Sequence, residues 1–315
     1  MSKKMNCLVT GCAGFIGSSL SEKLIELGYS VTGIDCFTDY YPRKLKEQNI
    51  SRLRRERNFV FHEEDLLTTD LDKLLAGKEI VFHEAAQAGV RTSWGASFEI
   101  YTRSNILLTQ KLLEAARKQP IKKFIFASSS SVYGDTRDLP MREESTVSPV
   151  SPYGVSKLAA EQLCRLYYKN YKVPTIMLRY FTVYGPRQRP DMAFHIFTKA
   201  LVEDQEIVIY GDGKQTRDFT YISDIVDGNL AAMNSDSLGE VFNLGGGSRV
   251  TLMQTIQMLE EIMNKKARLK FVAKSHGDMR DTSADISKSQ RLLDYQPKVS
   301  LKEGLAKEVA WFKSL

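Results

Sequence analysis

Apolar residues in the first half of the chain follow two alternating rhythms. Short apolar runs at Cys7–Thr10, Ser30–Ile34, Phe59–His62, Glu79–His83, Phe124–Ala127 and Thr175–Arg179 have the length of buried strands. Between several of them, apolar positions recur three and four apart, at Phe15–Leu27, Asn105–Lys118 and Tyr153–Lys169, predicting helices with a buried face. Gly28 stands where a C-terminal glycine cap belongs. Strands alternating with helices of this length predict a doubly wound parallel sheet.

Beyond Arg179 the rhythm loosens. Pro186 and Pro190 interrupt it, and Gly211-Asp212-Gly213 splits two short strand-like runs. The expected fold is α/β: a doubly wound parallel Rossmann sheet over residues 1–180, followed by a smaller C-terminal α/β substrate domain over 181–315. Ile222–Met233 and Glu240–Leu244 again read as helix then strand, so about 222–245 is expected to rejoin the sheet. There is no internal repeat and no low-complexity tract.

Composition narrows the function classes. With 315 residues, 43% hydrophobic and 26% charged, the chain suits a globular protein with a substantial core. A net charge of +6 favours a small anionic ligand and does not call for nucleic acid. The one dense basic run, Arg52, Arg54, Arg55 and Arg57, has Glu47 and Glu56 interspersed and no stacking aromatics among its arginines, so it reads as a solvated face. Cys7, Cys12, Cys36 and Cys164 form no CxxC pair and no cluster with metal spacing. They read as reduced thiols, with no metal site. Lys3 and Lys4 precede only four apolar residues, unlike a signal peptide, and no run approaches the roughly 18 residues of a membrane span. The expected setting is cytoplasmic.

Chemistry enters with the glycines. Gly11-Cys-Ala-Gly14-Phe15-Ile16-Gly17 lies between the first strand and the first helix, where glycines let the backbone turn tightly and approach a pyrophosphate at the helix N-terminus. The next strand ends in Asp35, a carboxylate able to accept both ribose hydroxyls and repel a 2′-phosphate. Cys36 follows it, with no arginine to welcome that phosphate. NAD is therefore expected rather than NADP, with Asp65 and Leu66 after the third strand facing the adenine.

Tyr153 and Lys157 are four apart and share a helix face. The ammonium of Lys157 is expected to favour the Tyr153 phenolate and so make a base that works near neutral pH. Upstream, Ser128-Ser129-Ser130-Ser131-Val132-Tyr133-Gly134 follows the strand at Phe124–Ala127. A serine there sits at the carboxyl end of a central strand, where doubly wound folds bind ligands.

Six motifs now occur in order: TGCAGFIG (Thr10–Gly17), HEAA (His83–Ala86), SSSSVYG (Ser128–Gly134), SPYGVSK (Ser151–Lys157), LRYFTVYGPR (Leu178–Arg187) and TRDFTYI (Thr216–Ile222). From Cys7 to about Tyr295 the chain resembles the extended short-chain dehydrogenase/reductases that modify nucleotide sugars. The resemblance implies a catalytic triad of Ser129, Tyr153 and Lys157. It implies that Ala85, Ala86, Gln87, Asn105 and Tyr180 line the NAD, and that Arg217 grips a UDP diphosphate. An arginine usually stands just before Pro-Gly-Asp in these relatives, whereas here the segment is Lys274-Ser-His-Gly-Asp278, leaving Lys274 or Arg280 to substitute.

Dehydratases of the family carry an Asp-Glu pair, and decarboxylases a glutamate, directly before Val-Tyr-Gly. Ser130 and Ser131 stand there and cannot act as carboxyl acids or bases. The resemblance thus implies a UDP-sugar 4-epimerase, with a dehydratase or decarboxylase as the alternative enzyme and a non-catalytic NAD-binding regulator as the alternative of another class. AAQAGVRTSW (Ala85–Trp94), Thr182 and GPRQRPDMAFH (Gly185–His195) look like UDP-glucuronate 4-epimerases, with Arg189 and His195 near the sugar. Gly277-Asp278-Met-Arg280 followed by Thr282 resembles enzymes for UDP-N-acetylhexosamines, Thr282 leaving room for an acetamido group. Both substrates stay open at this point, with UDP-glucose a third. Surplus apolar residues on Ile106–Ala116 and Leu158–Tyr168 correspond to helices that pair two subunits in relatives, so a homodimer is expected.

Overall fold

The computed structural model describes residues 5–315; Lys3 and Lys4 lie outside the described residues. The first half supplies strands β1 (Asn6–Thr10), β2 (Ser30–Asp35), β3 (Phe59–Glu63), β4 (Ile80–His83), β5 (Lys123–Ser129) and β6 (Thr175–Tyr180). Its helices are α1 (Phe15–Glu26), α2 (Arg43–Ile50), α3 (Leu71–Leu75), α4 (Phe98–Tyr101), α5 (Leu108–Ala116) and α6 (Pro152–Tyr171). The second half adds strands β7 (Val183–Tyr184), β8 (Glu206–Tyr210), β9 (Thr216–Asp218), β10 (Thr220–Tyr221), β11 (Val241–Leu244), β12 (Arg249–Thr251) and β13 (Arg268–Val272). Its helices are α7 (Ala193–Val202), α8 (Ile222–Asn234), α9 (Leu252–Met263), α10 (Ser287–Leu293) and α11 (Leu301–Phe312).

Seven strands form one sheet in the order β11-β6-β5-β4-β1-β2-β3, every neighbouring pair parallel. Helices cover both faces, which is why β5 and β6 are buried almost throughout instead of alternating. Strand order reverses between β1 and β4. Their carboxyl ends open the crevice in which such sheets bind ligands. After leaving the sheet at Tyr180, the chain returns through α8, which packs on α1, and β11, which pairs with β6. The rest builds small two-stranded pieces, β8 with β13 and β9 with β12, among α7, α9 and α11.

Two elements differ from the sequence pattern in ways that shape the site. β5 runs two residues past its apolar stretch, so Ser128 and Ser129 sit in the ladder opposite Arg179 and Tyr180. Polar residues are tolerated there because Ser128 donates to Glu161 at 2.7 Å, and Glu161 also takes a bidentate contact from Arg179 at 2.6 and 2.9 Å. This buried ion pair is poor evidence for extra stability, because desolvation offsets its attraction. Its use here is to fix the end of β5. The expected helix at Asn105–Lys118 is instead α4 and α5 joined by a π-helical stretch at Thr102–Leu107, and Asn105 lies in that stretch. Such wide turns are common at functional sites.

Candidate active site

The glycine loop is shaped by close contacts that leave no space for side chains. A Cβ on Gly17 would stand 2.2 Å from the Gly11 carbonyl oxygen, and one on Gly11 would stand 2.9 Å from the Ala85 backbone. Gly11 also has φ +67°, a left-handed conformation that suits glycine. No side chain caps α1, so the N–H groups at Phe15 and Ile16 are free of a competing local acceptor. A cradle of bare backbone at a positive helix end fits the pyrophosphate of a dinucleotide.

Asp35 ends β2 beside that loop. Its two oxygens accept one backbone N–H each, from Ala13 at 3.1 Å and Phe37 at 2.9 Å, leaving each oxygen a further lone pair for a ribose hydroxyl. Burial pushes its pKa up, and those two hydrogen bonds oppose the shift. Asp65 is exposed and turns back on the Leu67 N–H at 2.9 Å, while the Leu66 side chain is core. Only the backbone of Leu66 is left to meet a ligand. Asp35→Ala is expected to weaken NAD binding about tenfold or more and to narrow the preference over NADP, as titration of both cofactors would show. Unchanged affinity for both would mean that Asp35 serves the loop alone.

Asn105 is spent on positioning. Its amide accepts from Gln87 N at 2.7 Å and donates to Gln87 O at 3.0 Å and Ser156 Oγ at 2.8 Å. It thereby ties the Ala85–Gln87 turn to α6, the helix that carries Tyr153 and Lys157. His83, just before that turn, is held between the Thr10 and Thr109 hydroxyls at 2.9 Å each, and burial holds its pKa down to about 3. It is a neutral strut.

Ser129, Tyr153 and Lys157 come together across the ends of β5 and α6. The Ser129 hydroxyl is fixed by the Ser131 N–H at 3.1 Å, and it stands near enough to the Tyr153 phenol to lower its pKa. Ser130 and Ser131 form the buried turn above it. The Tyr153 ring meets Tyr101 edge-on at 6.2 Å, and Lys157 places its ammonium 4.6 Å from the Phe126 ring centre. Electrostatics differ from the sequence expectation. Burial raises the Tyr153 pKa, Ser129 lowers it, and the leading cation acting on it is Arg189. Lys157 is itself pushed down to about 8 by burial, against the pull of Glu84. Glu84 was read only as part of a motif. It accepts from the Tyr180 hydroxyl at 2.8 Å, Asn229 donates to that same hydroxyl at 2.7 Å, and burial lifts the carboxyl to about 7.

Around the sugar side the structure redistributes the expected residues. Arg189 makes a bidentate contact to Asp191 at 2.9 and 3.0 Å, and the Tyr40 hydroxyl joins the same carboxylate at 3.0 Å. Thr182 is half-buried beside Phe181, its carbonyl taken by the Thr220 N–H at 2.9 Å. Arg217 is held by the carbonyls of Thr216, Met279 and Arg280 at 2.8, 2.8 and 3.3 Å. Arg280 is committed to Asp212 at 2.8 and 3.1 Å, and Asp278 to Arg91 at 2.7 and 3.3 Å.

Two of the expected residues are engaged by their surroundings. His195 packs its ring on Phe312 and Trp311 and places Nδ1 3.1 Å from the Gln188 carbonyl, so it joins α7 to the C-terminal helix. Thr282 is 1% exposed, and its hydroxyl takes the Asp218 N–H at 3.1 Å. It bridges its own segment to β9. A separate cleft of about 490 Å³, lined by Ser19, Glu22, Asn49, Arg187 and Trp311 among others, contains none of the expected site residues.

Residues 7–245 match the NAD dependent epimerase/dehydratase family. The chain belongs to that family. Its cofactor is NAD, in keeping with the glycine cradle and Asp35. This family member is 48% identical to an uncharacterized UDP-glucose epimerase, YtcB, of Bacillus subtilis (strain 168), across 99% of both chains. It resembles the crystal structure of the UDP-glucuronic acid 4-epimerase from Bacillus cereus in complex with UDP-glucuronic acid and NAD, with a TM-score of 0.96 and 48% identity, covering 98% of this chain and 99% of that one. It also resembles the UDP-N-acetylglucosamine 4-epimerase from Methanobrevibacter ruminantium M1 in complex with UDP-N-acetylmuramic acid, with a TM-score of 0.92 and 33% identity, covering 99% of each. Among the described residues, no helix is long and apolar enough to cross a membrane, and no three His, Cys, Asp or Glu residues are grouped to hold a metal.

Proposed function

We propose that this chain is an NAD-dependent UDP-sugar 4-epimerase, and that UDP-glucuronate and UDP-galacturonate are the pair it interconverts. The observation that carries the reaction is the serine turn at Ser129–Ser131 facing Tyr153, with hydroxyls where elimination or decarboxylation would need a carboxylate. The sugar choice rests on Arg189, a cation close enough to act on the Tyr153 phenol and therefore within the neighbourhood of a C6 carboxylate, which lies two bonds from the reacting C4. Greater likeness to the UDP-glucuronic acid enzyme than to the UDP-N-acetylglucosamine enzyme supports it, as does the burial of Thr282.

In this reading Tyr153, as phenolate, takes the C4 hydroxyl proton through or beside Ser129, and Lys157 holds a compensating positive charge beneath it. Bound in the glycine cradle beside Asp35, NAD would supply the hydride acceptor and donor for C4, while the proton is handled by Tyr153. Ser130, Ser131 and Thr182 give the turning 4-keto sugar neutral partners that it can exchange. Arg217 holds the UDP diphosphate, so binding energy stays remote from the carbon that must rotate. The cofactor half comprises residues up to 180 with about 222–245, and the remainder of 181–315 holds the nucleotide sugar. Incubation with UDP-glucuronate, UDP-GlcNAc and UDP-glucose, followed by resolution of the products, tests the assignment. Conversion of UDP-glucuronate to a mixture with its C4 epimer is expected. A keto-deoxy or pentose product would replace the epimerase reading with the dehydratase or decarboxylase one.

Assembly as a homodimer belongs to the same proposal. Ile100, Leu107, Val155 and Leu166 are exposed apolar side chains on α4, the π-helical stretch and α6. Pairing these helices with a second copy would bury them. Light scattering at micromolar concentration is expected to give twice the chain mass, and a monomer mass would count against it. Four unpaired cysteines, three of them buried, suit the cytoplasm as the setting.

A further inference from the structure

Charge-assisted contacts are the strong ones to a diphosphate, and this chain has Lys274-Ser-His-Gly-Asp278 where its relatives place the second arginine. The two substitutes nearest in sequence are both engaged at the exposed rim. Arg280 forks onto Asp212 at 2.8 and 3.1 Å, and Lys274 lies 3.9 Å from Asp135. A third cation stands on the opposite side, in the loop after β4. Arg91 stacks its guanidinium 3.9 Å from the Tyr210 ring centre and reaches Asp278 at 2.7 and 3.3 Å. Its side chain is 46% exposed, while that of Asp278 is 19% exposed.

Arg217 is anchored on the Met279 and Arg280 carbonyls, one and two residues past Asp278. Its hydrogen bonds go to neutral carbonyls, and burial lowers its pKa, with Asp278 the foremost acid opposing the shift and Arg91 adding to it. Asp278 is thus paired with Arg91 and acts electrostatically on Arg217, so its charge bears on one arginine from each half of the molecule. The loop is held in that place by Gly277, at φ +80°. A Cβ there would stand 3.1 Å from the Ser151 side chain and 3.3 Å from Val90, the residue before Arg91. Ser151 caps α6 through the Gly154 N–H, so the anion site is braced against the catalytic helix.

Building on the UDP-sugar reading, we propose that Arg91 is the second diphosphate cation of this enzyme, reaching across from the cofactor half, and that Asp278 competes with the diphosphate for Arg91 and Arg217. Tyr210 fixes the plane of the guanidinium, which preorganises its fork for phosphate oxygens. Half-exposure of Arg91 makes the exchange of one anion for another accessible without unfolding the loop.

The partners of an ordinary ion pair would weaken binding alike when either is removed. Competition predicts opposite signs. Calorimetric titration of the NAD-loaded enzyme at low ionic strength with UDP, UMP and uridine reads this directly. Arg91→Ala is expected to weaken UDP about ten- to a hundredfold, UMP far less and uridine not at all. Arg91→Lys, which keeps the charge and loses the fork, is expected to fall between. Asp278→Asn is expected to tighten UDP severalfold, with the gain fading as salt is raised. UDP affinity unchanged in Arg91→Ala, or weakened alike in Arg91→Ala and Asp278→Asn, would overturn the proposal while leaving the UDP-sugar reading intact. Failure of the unaltered enzyme to bind UDP would remove both.

Discussion

Tyr153→Phe is expected to lower kcat by about a thousandfold or more while UDP and NAD affinities stay within a few-fold. General base assistance is worth roughly two to four decades, and each decade corresponds to about 1.4 kcal/mol of barrier. The phenylalanine ring keeps the edge-on contact with Tyr101, so the loss is confined to the hydroxyl. Burial raises the phenol's pKa, hence the phenolate is scarce at neutral pH unless positive charge offsets it. In the wild type kcat is therefore expected to rise with pH along a limb set by Tyr153, and that limb should vanish in the variant. Stopped product assays across pH measure both effects. Turnover near the wild-type level in Tyr153→Phe would remove the tyrosine from the chemistry.

The parallel sheet was readable from residue order, and so were the positions of the glycine loop between β1 and α1, of Asp35 at the end of β2, of the serine turn after β5 and of Tyr153 and Lys157 on α6. The reason is physical. Each depends on a short spacing, such as four residues for one helix face or three glycines for one turn, which the chain cannot satisfy elsewhere. What escaped the sequence depends on long closures. Arg91 meets Asp278 across 187 residues, and Tyr180 meets Glu84 across 96. No local pattern distinguishes a charge that finds such a partner from one that remains in water. The surroundings of His195 and Thr282 were hidden for the complementary reason: each stands near motif residues in sequence, while its side chain is engaged by packing or by a backbone N–H. The source of positive charge at Tyr153 shifted similarly. Helical spacing pointed to Lys157, whereas the folded loop after β7 brings in Arg189.

Arg189→Ala is expected to lower kcat/KM for UDP-glucuronate by about one to two orders of magnitude, the worth of a charge-assisted contact of roughly 1.5–3 kcal/mol. Two other effects accompany the loss and have to be separated from it. First, Arg189 is tied to Asp191, which also accepts from Tyr40, so its removal frees an acidic side chain in the loop. Asp191→Asn, made alongside, loosens that tie while keeping the guanidinium. If Arg189 only braced the loop, both variants would reduce UDP-glucuronate, UDP-GlcNAc and UDP-glucose equally. Second, Arg189 lowers the Tyr153 pKa, so its loss moves the alkaline-rising limb of kcat to higher pH for every sugar. Assays above that limb, where Tyr153 is ionised in both enzymes, cancel this contribution. A deficit for UDP-glucuronate that persists there, with UDP-glucose restored to within a few-fold, would isolate the carboxylate contact. A deficit that disappears for all three sugars would leave Arg189 as a tuner of the base, and would return the choice of sugar to residues outside this loop.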